Sequence, residues 1–101
     1  VAAVLDAVPR ARLILAHGGR GDARALRDLV RDRASVLLDT SLASLPDLVA
    51  LPPQRLCFGS DRPYGEHASA LHLVAAVART AGWSDADTEG VMWGNLRAWL
   101  E

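Results

Sequence analysis

The sequence has a single cysteine, Cys57, and no lysine, because all eleven of its basic residues are arginine. One cysteine excludes a disulfide framework and a cysteine-rich zinc module, and it makes a reducing, cytoplasmic compartment the default expectation. Without lysine, the glycine-rich stretch 18–21 cannot be a Walker-type phosphate loop, which requires one. Disulfide-stabilised and Walker-type nucleotide-binding proteins are therefore excluded.

An excess of charge of either sign is missing too. The eleven arginines face twelve acidic residues, which gives a formal net charge of -1, so no basic field exists to hold a nucleic acid or an anionic membrane. Mostly apolar stretches such as 13–16 and 71–78 are far shorter than the roughly 20 residues of a membrane-spanning helix. We therefore expect neither nucleic acid nor membrane as a partner.

What remains is the composition of an ordinary globular domain, 101 residues long with 50% hydrophobic and 23% charged residues. Short apolar runs alternate with amphipathic segments and recur at intervals of roughly 20 residues, which indicates βαβ units and a parallel sheet. Strands are predicted at 12–17, 36–39 and 55–59. Helices are predicted at 1–8 before Pro9, from the cap Asp22 to Arg33, at 66–81 before Gly82, and from Ser84 onward with an interruption near Gly94, while 45–51 is predicted as a short helical or irregular stretch.

The periodicity also predicts which side chains face inward. In the helix 66–81, the residues expected on one core-facing stripe are Leu71, Val74, Ala75 and Ala78. Counting by twos along the strands places His17 on one face with Leu13 and Leu15, and Asp61 with Cys57 and Gly59. The small residues beside Asp61 are expected to leave room for a ligand.

Each predicted strand ends in residues able to do chemistry, namely His17, Asp39 with Thr40, and Asp61. The carboxyl ends of parallel strands meet at one edge of the sheet, where α/β proteins build their sites. A purely structural interpretation stays open for both outer residues. Asp61 would then be a turn or capping aspartate before Pro63, and His17 a core histidine bonded to a carbonyl.

Four motifs occur in an order that resembles a known family. They are Leu15-Ala16-His17-Gly18-Gly19, Leu38-Asp39-Thr40-Ser41, the stretch from Phe58 to Gly65, and Gly94-Asn95-Leu96. Together they resemble the carboxyl-terminal part of the amidohydrolase-related family of metal-dependent hydrolases, which also includes decarboxylases of the aminocarboxymuconate-semialdehyde type. His17 then matches the end of barrel strand 6, and Asp61 matches the end of strand 8.

The resemblance implies an α/β fold made of about three βα units, strands 6 to 8 of a metal-dependent-hydrolase TIM (β/α)8 barrel. Residues 1–101 would form a single partial domain, and the sequence begins at Val1 inside an apolar stretch, as if a helix had been cut. We therefore expect a fragment whose partners are the missing amino-terminal half of the barrel and a small-molecule substrate. An apolar sheet face left open by that absence also predicts a homodimer.

The resemblance further implies the roles of the site residues. Asp61 would bind a divalent metal ion, zinc or manganese, and accept the proton of the metal-bound water. His17 would act as an acid–base group in a mononuclear site or as a metal ligand in a binuclear one. The family's His-x-His pair after strand 1 and its histidine after strand 5 have no counterpart in this sequence.

The expected function is a metal-dependent hydrolase that cleaves an amide, ester or lactone bond. The alternatives are a decarboxylase of the same family and a noncatalytic α/β scaffold. Arg62, which stands where the family often has tryptophan, and Arg20 are candidates for binding a substrate carboxylate, although Arg62 may equally point to solvent. Asn95 is expected to be structural and to complete a turn between the terminal helices.

Overall fold

A parallel three-stranded sheet lies at the centre of the computed structural model, which describes residues 1–20 and 22–101, without the side chains of Ala2 and Arg20. Strand β2 is central, with β1 on one side and β3 on the other, and the register pairs Leu15 with Leu38 and Leu38 with Leu56. The strands are β1 (Leu13–Leu15), β2 (Val36–Asp39) and β3 (Leu56–Cys57). The predicted parallel α/β arrangement is confirmed.

Helices precede, connect and follow the strands. They are α1 (Ala2–Ala7), α2 (Ala23–Asp32), α3 (Leu45–Val49), α4 (His67–Ala81), α5 (Asp85–Glu89) and α6 (Asn95–Leu100). The segment Ala16–Arg20 is a tight turn with left-handed residues at 17–19, Pro53–Arg55 is a short 3-10 segment, and a π-helical segment, Gly90–Gly94, joins α5 to α6. Within the described residues, no helix has the length and apolar character needed to cross a membrane.

The helix ends follow from local sequence, as predicted. The Asp22 carboxylate accepts a hydrogen bond from the Arg24 backbone N–H at 2.9 Å, which caps the start of α2. Helix α4 ends at Gly82 in the left-handed conformation that favours glycine at this position. Ser84 and Asp87 form a reciprocal capping box at the start of α5.

The core lies between one face of the sheet and the helices. Leu13 and Leu15 pack against this core, whereas Ile14 between them is 40% exposed on the other face. Counting by twos had placed Leu13 and Leu15 on one face with His17, and we expected that face to be the open one; this expectation is wrong. Periodicity could not decide it because both faces of β1 are apolar, and His17 leaves the strand alternation with a left-handed φ of 59°.

Helix α4 also buries a different stripe from the one predicted. Its buried residues are Ala70, Val74 and Val77, while Leu71 is 38% exposed. The helix is apolar on most of its circumference, so sequence spacing alone offered two stripes that share Val74. Packing against the sheet and α3 selects between them.

Several predicted boundaries shift, and the strand predicted at 12–17 is shortened to Leu13–Leu15. The strand predicted at 55–59 pairs only through Leu56–Cys57, and the last helix is not broken at Gly94, because the π-helical segment carries it into α6. Asn95 is structural, as expected, but it forms no turn. Its amide nitrogen donates to the carbonyls of Pro53 and Leu56, both at 2.8 Å, and so fastens the terminal helix to the entrance of β3.

Arg55 closes the amino edge of the sheet. Its guanidinium donates to the carbonyls of Val30, Arg33 and Val36, at 2.7 Å in the case of Arg33. The first two carbonyls lie at the end of α2, where helical carbonyls lack partners in the helix, and the third lies in β2. One side chain therefore joins α2, β2 and the segment leading into β3.

We predict that Arg55→Ala destabilises the intact protein by roughly 2 to 4 kcal/mol, because it leaves several half-buried carbonyls without their charged donor. The measurement is urea denaturation. Arg31→Ala is the matched control, since within the described part of the chain Arg31 pairs only with exposed Asp28 and Asp32, and its loss should leave the midpoint unchanged. Equal midpoints for the two variants would contradict the structural role of Arg55.

Candidate functional site

The carboxyl ends of the three strands bring the predicted chemical residues to one edge of the sheet. His17 follows β1 by two residues, Asp39 is the last residue of β2, and Asp61 follows β3 by four. Because the strands are parallel, these positions share that edge. The central strand separates His17 from Asp61, and among the described contacts no hydrogen bond joins those two residues.

The Asp39 carboxylate is the centre of the hydrogen bonding at this edge. Its Oδ1 accepts from the backbone N–H of His17 at 3.0 Å, from the backbone N–H of Ser41 at 2.9 Å, and from the Ser41 hydroxyl at 2.6 Å. Hydrogen bonds to a carboxylate are stronger than those between neutral groups. A single oxygen therefore ties the turn after β1 to the turn after β2.

The hydrogen bonds of the His17 ring determine which of its nitrogens carries the proton. Its Nδ1 lies 2.9 Å from the Ser41 carbonyl oxygen and 3.1 Å from the Ser41 hydroxyl oxygen. A carbonyl can only accept, and the hydroxyl already donates its hydrogen to Asp39. Nδ1 must therefore carry the proton, which leaves Nε2 of the neutral ring with a free lone pair.

The geometry of His17 has features of both interpretations that the sequence left open, the structural one and the functional one. The ring is bonded to a backbone carbonyl, as the structural interpretation expected, but through one nitrogen only. The residue is half-buried, so the ring is not enclosed in the core. A histidine held by Nδ1 with Nε2 available has the usual arrangement of a metal ligand or an acid–base group.

Thr40 and Ser41 continue the edge and are almost fully buried, with 1% and 2% exposure. The Thr40 N–H donates to the Cys57 carbonyl at 2.9 Å, and the Thr40 hydroxyl accepts from the Gly59 N–H at 3.3 Å. No buried side-chain N or O atom lacks a hydrogen-bond partner in the part of the chain that is described. These bonds fix the exit of β3 against the exit of β2.

The space expected beside Asp61 is filled by the protein itself. A Cβ added at Gly59 would lie 3.3 Å from both Cγ and Oδ2 of Asp39, a tight contact. The prediction that the small residue at 59 leaves room for a ligand is therefore wrong, because the room holds the Asp39 carboxyl group. The space beside the two glycines that follow His17 is also filled by this chain, since Gly18 packs against Ala43 and Gly19 against Leu26.

Asp61 lies in a tight loop that requires glycine at its far end. Asp61 has a positive φ of 58°, and its carbonyl accepts from the Gly65 N–H at 2.7 Å. A Cβ at Gly65 would lie only 2.0 Å from the Ser60 carbonyl oxygen, which backbone cannot accommodate without moving. The Phe58 to Gly65 motif thus fixes the backbone that carries the Asp61 carboxylate.

The arginine candidate that the structure describes, Arg62, has no hydrogen bond to this network among the described contacts. Arg62 lies in the same loop as Asp61 and is exposed. The side chain of Arg20 lies outside the described part of the chain. Their predicted contacts with a substrate carboxylate stay predictions.

These residues provide only part of the ligand set that a divalent metal ion requires. His17 offers an imidazole nitrogen with a free lone pair and Asp61 a carboxylate, which are donors suited to zinc or manganese. The described residues nevertheless contain no group of three or more His, Cys, Asp or Glu side chains that could hold a metal. These two residues can therefore supply part of a metal site, and further ligands would have to come from elsewhere.

Sequence reasoning missed the two residues that organise this edge. Asp39 was recognised as a strand-end residue without a role, and Ser41 only as part of a motif. The available signal was the Asp-Thr-Ser run directly after an apolar strand, since short polar side chains there bond the backbone of their own turn. Nothing in the sequence indicated that the same carboxylate would reach across to His17.

Cys57 is buried directly opposite Asp39 in the register of β2 and β3. Burial raises the pKa of its thiol, and the negative charge of Asp39 raises it further, to about 11. The thiolate is the reactive form, so Cys57 is inert near neutral pH.

Comparison with known proteins places this edge in context. A family model described as Amidohydrolase matches residues 1–101, and no curated protein matches the chain. A dihydroxybenzoic acid decarboxylase from Polaromonas, solved with manganese and the inhibitor 2-nitroresorcinol, is similar with a TM-score of 0.72, 19% identity and 95% of this chain covered. The apo IDCase of Metarhizium anisopliae, an isoorotate decarboxylase, is similar with a TM-score of 0.65, 26% identity and 98% covered.

The chain spans about a third of the length of these solved structures, 35% of the first and 36% of the second. Both are TIM-barrel proteins. The similarity therefore concerns one portion of a larger fold.

We predict that Cys57 of the folded protein reacts with a thiol reagent ever faster as the pH rises toward about 11. In the unfolded chain the thiol ionises near its ordinary pKa of about 8.5, so the stability from this raised pKa is complete below that value and is lost as the pH rises through about 11. The measurement is the labelling rate between pH 7 and 11, with urea-unfolded protein as the control. Equal rates for folded and unfolded protein at pH 8 would contradict the burial.

Proposed function

Because this chain belongs to the amidohydrolase family, as its motifs predict, we propose that it supplies part of the active site of a metal-dependent decarboxylase. The substrate class is a carboxylic acid on an aromatic or heterocyclic ring. The observation that carries the proposal is His17, held through Nδ1 with Nε2 free, at the same sheet edge as Asp61.

The fold part of the proposal is that residues 1–101 form one partial domain, strands 6 to 8 of a TIM (β/α)8 barrel. Its support is the β1-β2-β3 parallel order, the helices between the strands, and the coverage of about a third of two barrel structures. The outer strands β1 and β3 each have a free edge in this sheet. The polypeptide forming strands 1 to 5 would pair with those edges and carry the remaining ligands.

Within this site His17 is the acid–base group. Decarboxylation replaces a carbon–carboxylate bond with a carbon–hydrogen bond, so CO2 leaves and the ring carbon must receive a proton. Nε2 can take up that proton and deliver it to carbon, while Nδ1 keeps its bond to the Ser41 carbonyl. The ring therefore stays in place through the proton transfer.

Asp61 would help to hold the divalent ion, zinc or manganese. When bound, such an ion polarises substrate oxygens and stabilises negative charge that develops on them. The tight loop closed by Gly65 fixes the backbone of Asp61, which limits how far the carboxylate can move. Arg62, exposed in that loop, is a candidate partner for a substrate carboxylate, and we propose the same role for Arg20.

Hydrolysis of an amide, ester or lactone is the second candidate, and sequence analysis placed it first. The family description favours it. Both similar structures are decarboxylases, one of them with bound manganese, and this favours decarboxylation. The same two residues would serve either reaction, since both require a positioned acid–base group beside a metal ion.

The deciding experiment uses the intact protein that contains this chain, loaded with manganese or with zinc. Dihydroxybenzoates, the class named for the Polaromonas enzyme, are tested for CO2 release, and a panel of lactones and amides is tested for hydrolysis. CO2 release from a ring carboxylate supports the proposal. Hydrolysis without CO2 release supports the second candidate, and metal-loaded protein inactive toward every substrate of both panels would count against both.

We predict that Asp61→Asn in the intact protein lowers turnover by several orders of magnitude and lowers the bound metal content. The amide preserves the size of the side chain but removes the charge that binds the metal. Asp28→Asn, a change at an exposed position of α2, is the control and should leave both quantities unaltered. Normal metal content and turnover in Asp61→Asn would overturn its assignment.

We predict that residues 1–101 produced alone are inactive and self-associate, because Ile14 is exposed on the open sheet face and two strand edges are free. Sedimentation should show a dimer or larger species. Ile14→Arg should reduce the association, whereas Leu71→Arg, at a similarly exposed position on α4, should not. A monomer that unfolds cooperatively would contradict the prediction.

A further inference from the structure

The role proposed above for His17 depends on a residue to which neither the motifs nor the comparisons assign a function. Asp39 ends the central strand, and one of its oxygens receives three hydrogen bonds from the turns after β1 and β2. The donors are the His17 N–H and two groups of Ser41, and Ser41 also contacts the His17 ring. Asp39 can therefore act on both the backbone and the ring of His17.

The first effect is on the His17 backbone. His17 has φ 59° and ψ 37°, a left-handed conformation uncommon for residues other than glycine. The bond from its N–H to Asp39 Oδ1 at 3.0 Å helps to hold this conformation, in which the chain leaves the direction of β1. Without it, the turn carrying the ring would lose its direct link to β2.

The second effect is on the His17 ring and passes through Ser41. The Asp39 carboxylate takes the Ser41 hydroxyl hydrogen at 2.6 Å, so the hydroxyl oxygen presents lone pairs to His17 Nδ1. Asp39 also binds the Ser41 N–H, which places the peptide whose carbonyl accepts from Nδ1. One carboxylate thus positions both acceptors, the Ser41 hydroxyl oxygen and the Ser41 carbonyl oxygen, that require a proton on Nδ1.

The third observation is that β3 confines the Asp39 carboxyl group. A Cβ at position 59 would approach its Cγ and Oδ2 to 3.3 Å, so only glycine leaves it undisturbed. The carboxylate is held between its hydrogen bonds on one side and the β3 exit on the other. Such confinement is typical of a group that orients a functional side chain.

We propose that Asp39 is the positioning residue of this site: through Ser41 it fixes the His17 tautomer with the proton on Nδ1 and Nε2 free. This deepens the proposed function and rests on it, because a fixed Nε2 lone pair matters only if His17 exchanges protons or binds metal. Asp39 itself touches neither substrate nor metal in this scheme. Its contribution is to keep the unprotonated nitrogen directed away from the Ser41 turn.

The test measures the tautomer directly in the intact, metal-free protein labelled with nitrogen-15 in histidine. In a neutral imidazole the two ring nitrogens give distinct signals for the protonated and the unprotonated atom. The His17→Gln variant assigns the signals by removing them. Wild-type protein should show Nδ1 protonated, and Asp39→Ala, which removes the oxygen that accepts all three hydrogen bonds, should show a mixture of the two tautomers.

The kinetic arm uses the metal-loaded protein and whichever compound of the dihydroxybenzoate, lactone and amide panels it turns over. Asp39→Ala should lower kcat about 10-fold to 100-fold with little change in KM, which is the usual scale for a residue that orients a functional histidine. Asp47→Ala, which removes a carboxylate on α3 outside this network, is the matched control and should change neither the tautomer nor kcat.

A single Nδ1-protonated tautomer in folded Asp39→Ala would overturn the inference, whatever the activity. If Asp39→Ala does not fold, Asp39→Leu gives the same test, because leucine fills similar space without an oxygen to accept the three hydrogen bonds. An unchanged tautomer there would also overturn it. Normal turnover in His17→Gln, by contrast, would refute the proposed function and leave the tautomer result standing.

Discussion

The three hydrogen bonds to one oxygen of Asp39 are the constraint on which the carboxyl edge of this sheet depends. They join the turn after β1 to the turn after β2, and Thr40 then joins β2 to the exit of β3. Each link connects a strand end to its neighbour. The edge is therefore built outward from the central strand, and His17 and Asp61 occupy its two flanks.

Burying polar groups at such an edge is costly unless every one finds a partner. Thr40 and Ser41 are nearly inaccessible to solvent, and their hydroxyl groups are bonded. A low-dielectric setting strengthens satisfied hydrogen bonds and penalises broken ones. The burial that raises the pKa of Cys57 therefore also strengthens the neighbouring hydrogen bonds of Asp39 and makes that network rigid. Rigidity here is useful because an acid–base group must be held in a defined orientation.

Much of the fold was predictable because its signals are local. The Asp22 cap, the Gly82 terminus and the Ser84 capping box each depend on residues a few positions apart, and the structure contains all three. The side of α4 that faces the core was not predictable, because an apolar helix fits its neighbours in more than one rotation. Likewise, β1 is apolar on both faces, so only the helices packed on the sheet decide that Ile14 is the exposed residue.

In the candidate site, too, the features with local signals were predictable and those set by non-local contacts were not. His17 and Asp61 were found because each lies within a motif that is read along the chain. Asp39 was undervalued because its partner on the neighbouring strand exit, His17, lies 22 residues away and is reached only once β1 and β2 pair. Contacts between parallel strands leave no periodic trace in sequence, since any polar residue at the strand end is compatible with them. The interactions that orient the histidine are thus non-local, although those that identify it are local.

The hydrogen bonds that orient the ring through Nδ1 come from Ser41, in the turn after the neighbouring strand β2. A complete set of metal ligands needs side chains that the described residues do not hold. Orientation of the acid–base group and assembly of the metal site are therefore separable, and the first can be studied in the metal-free protein.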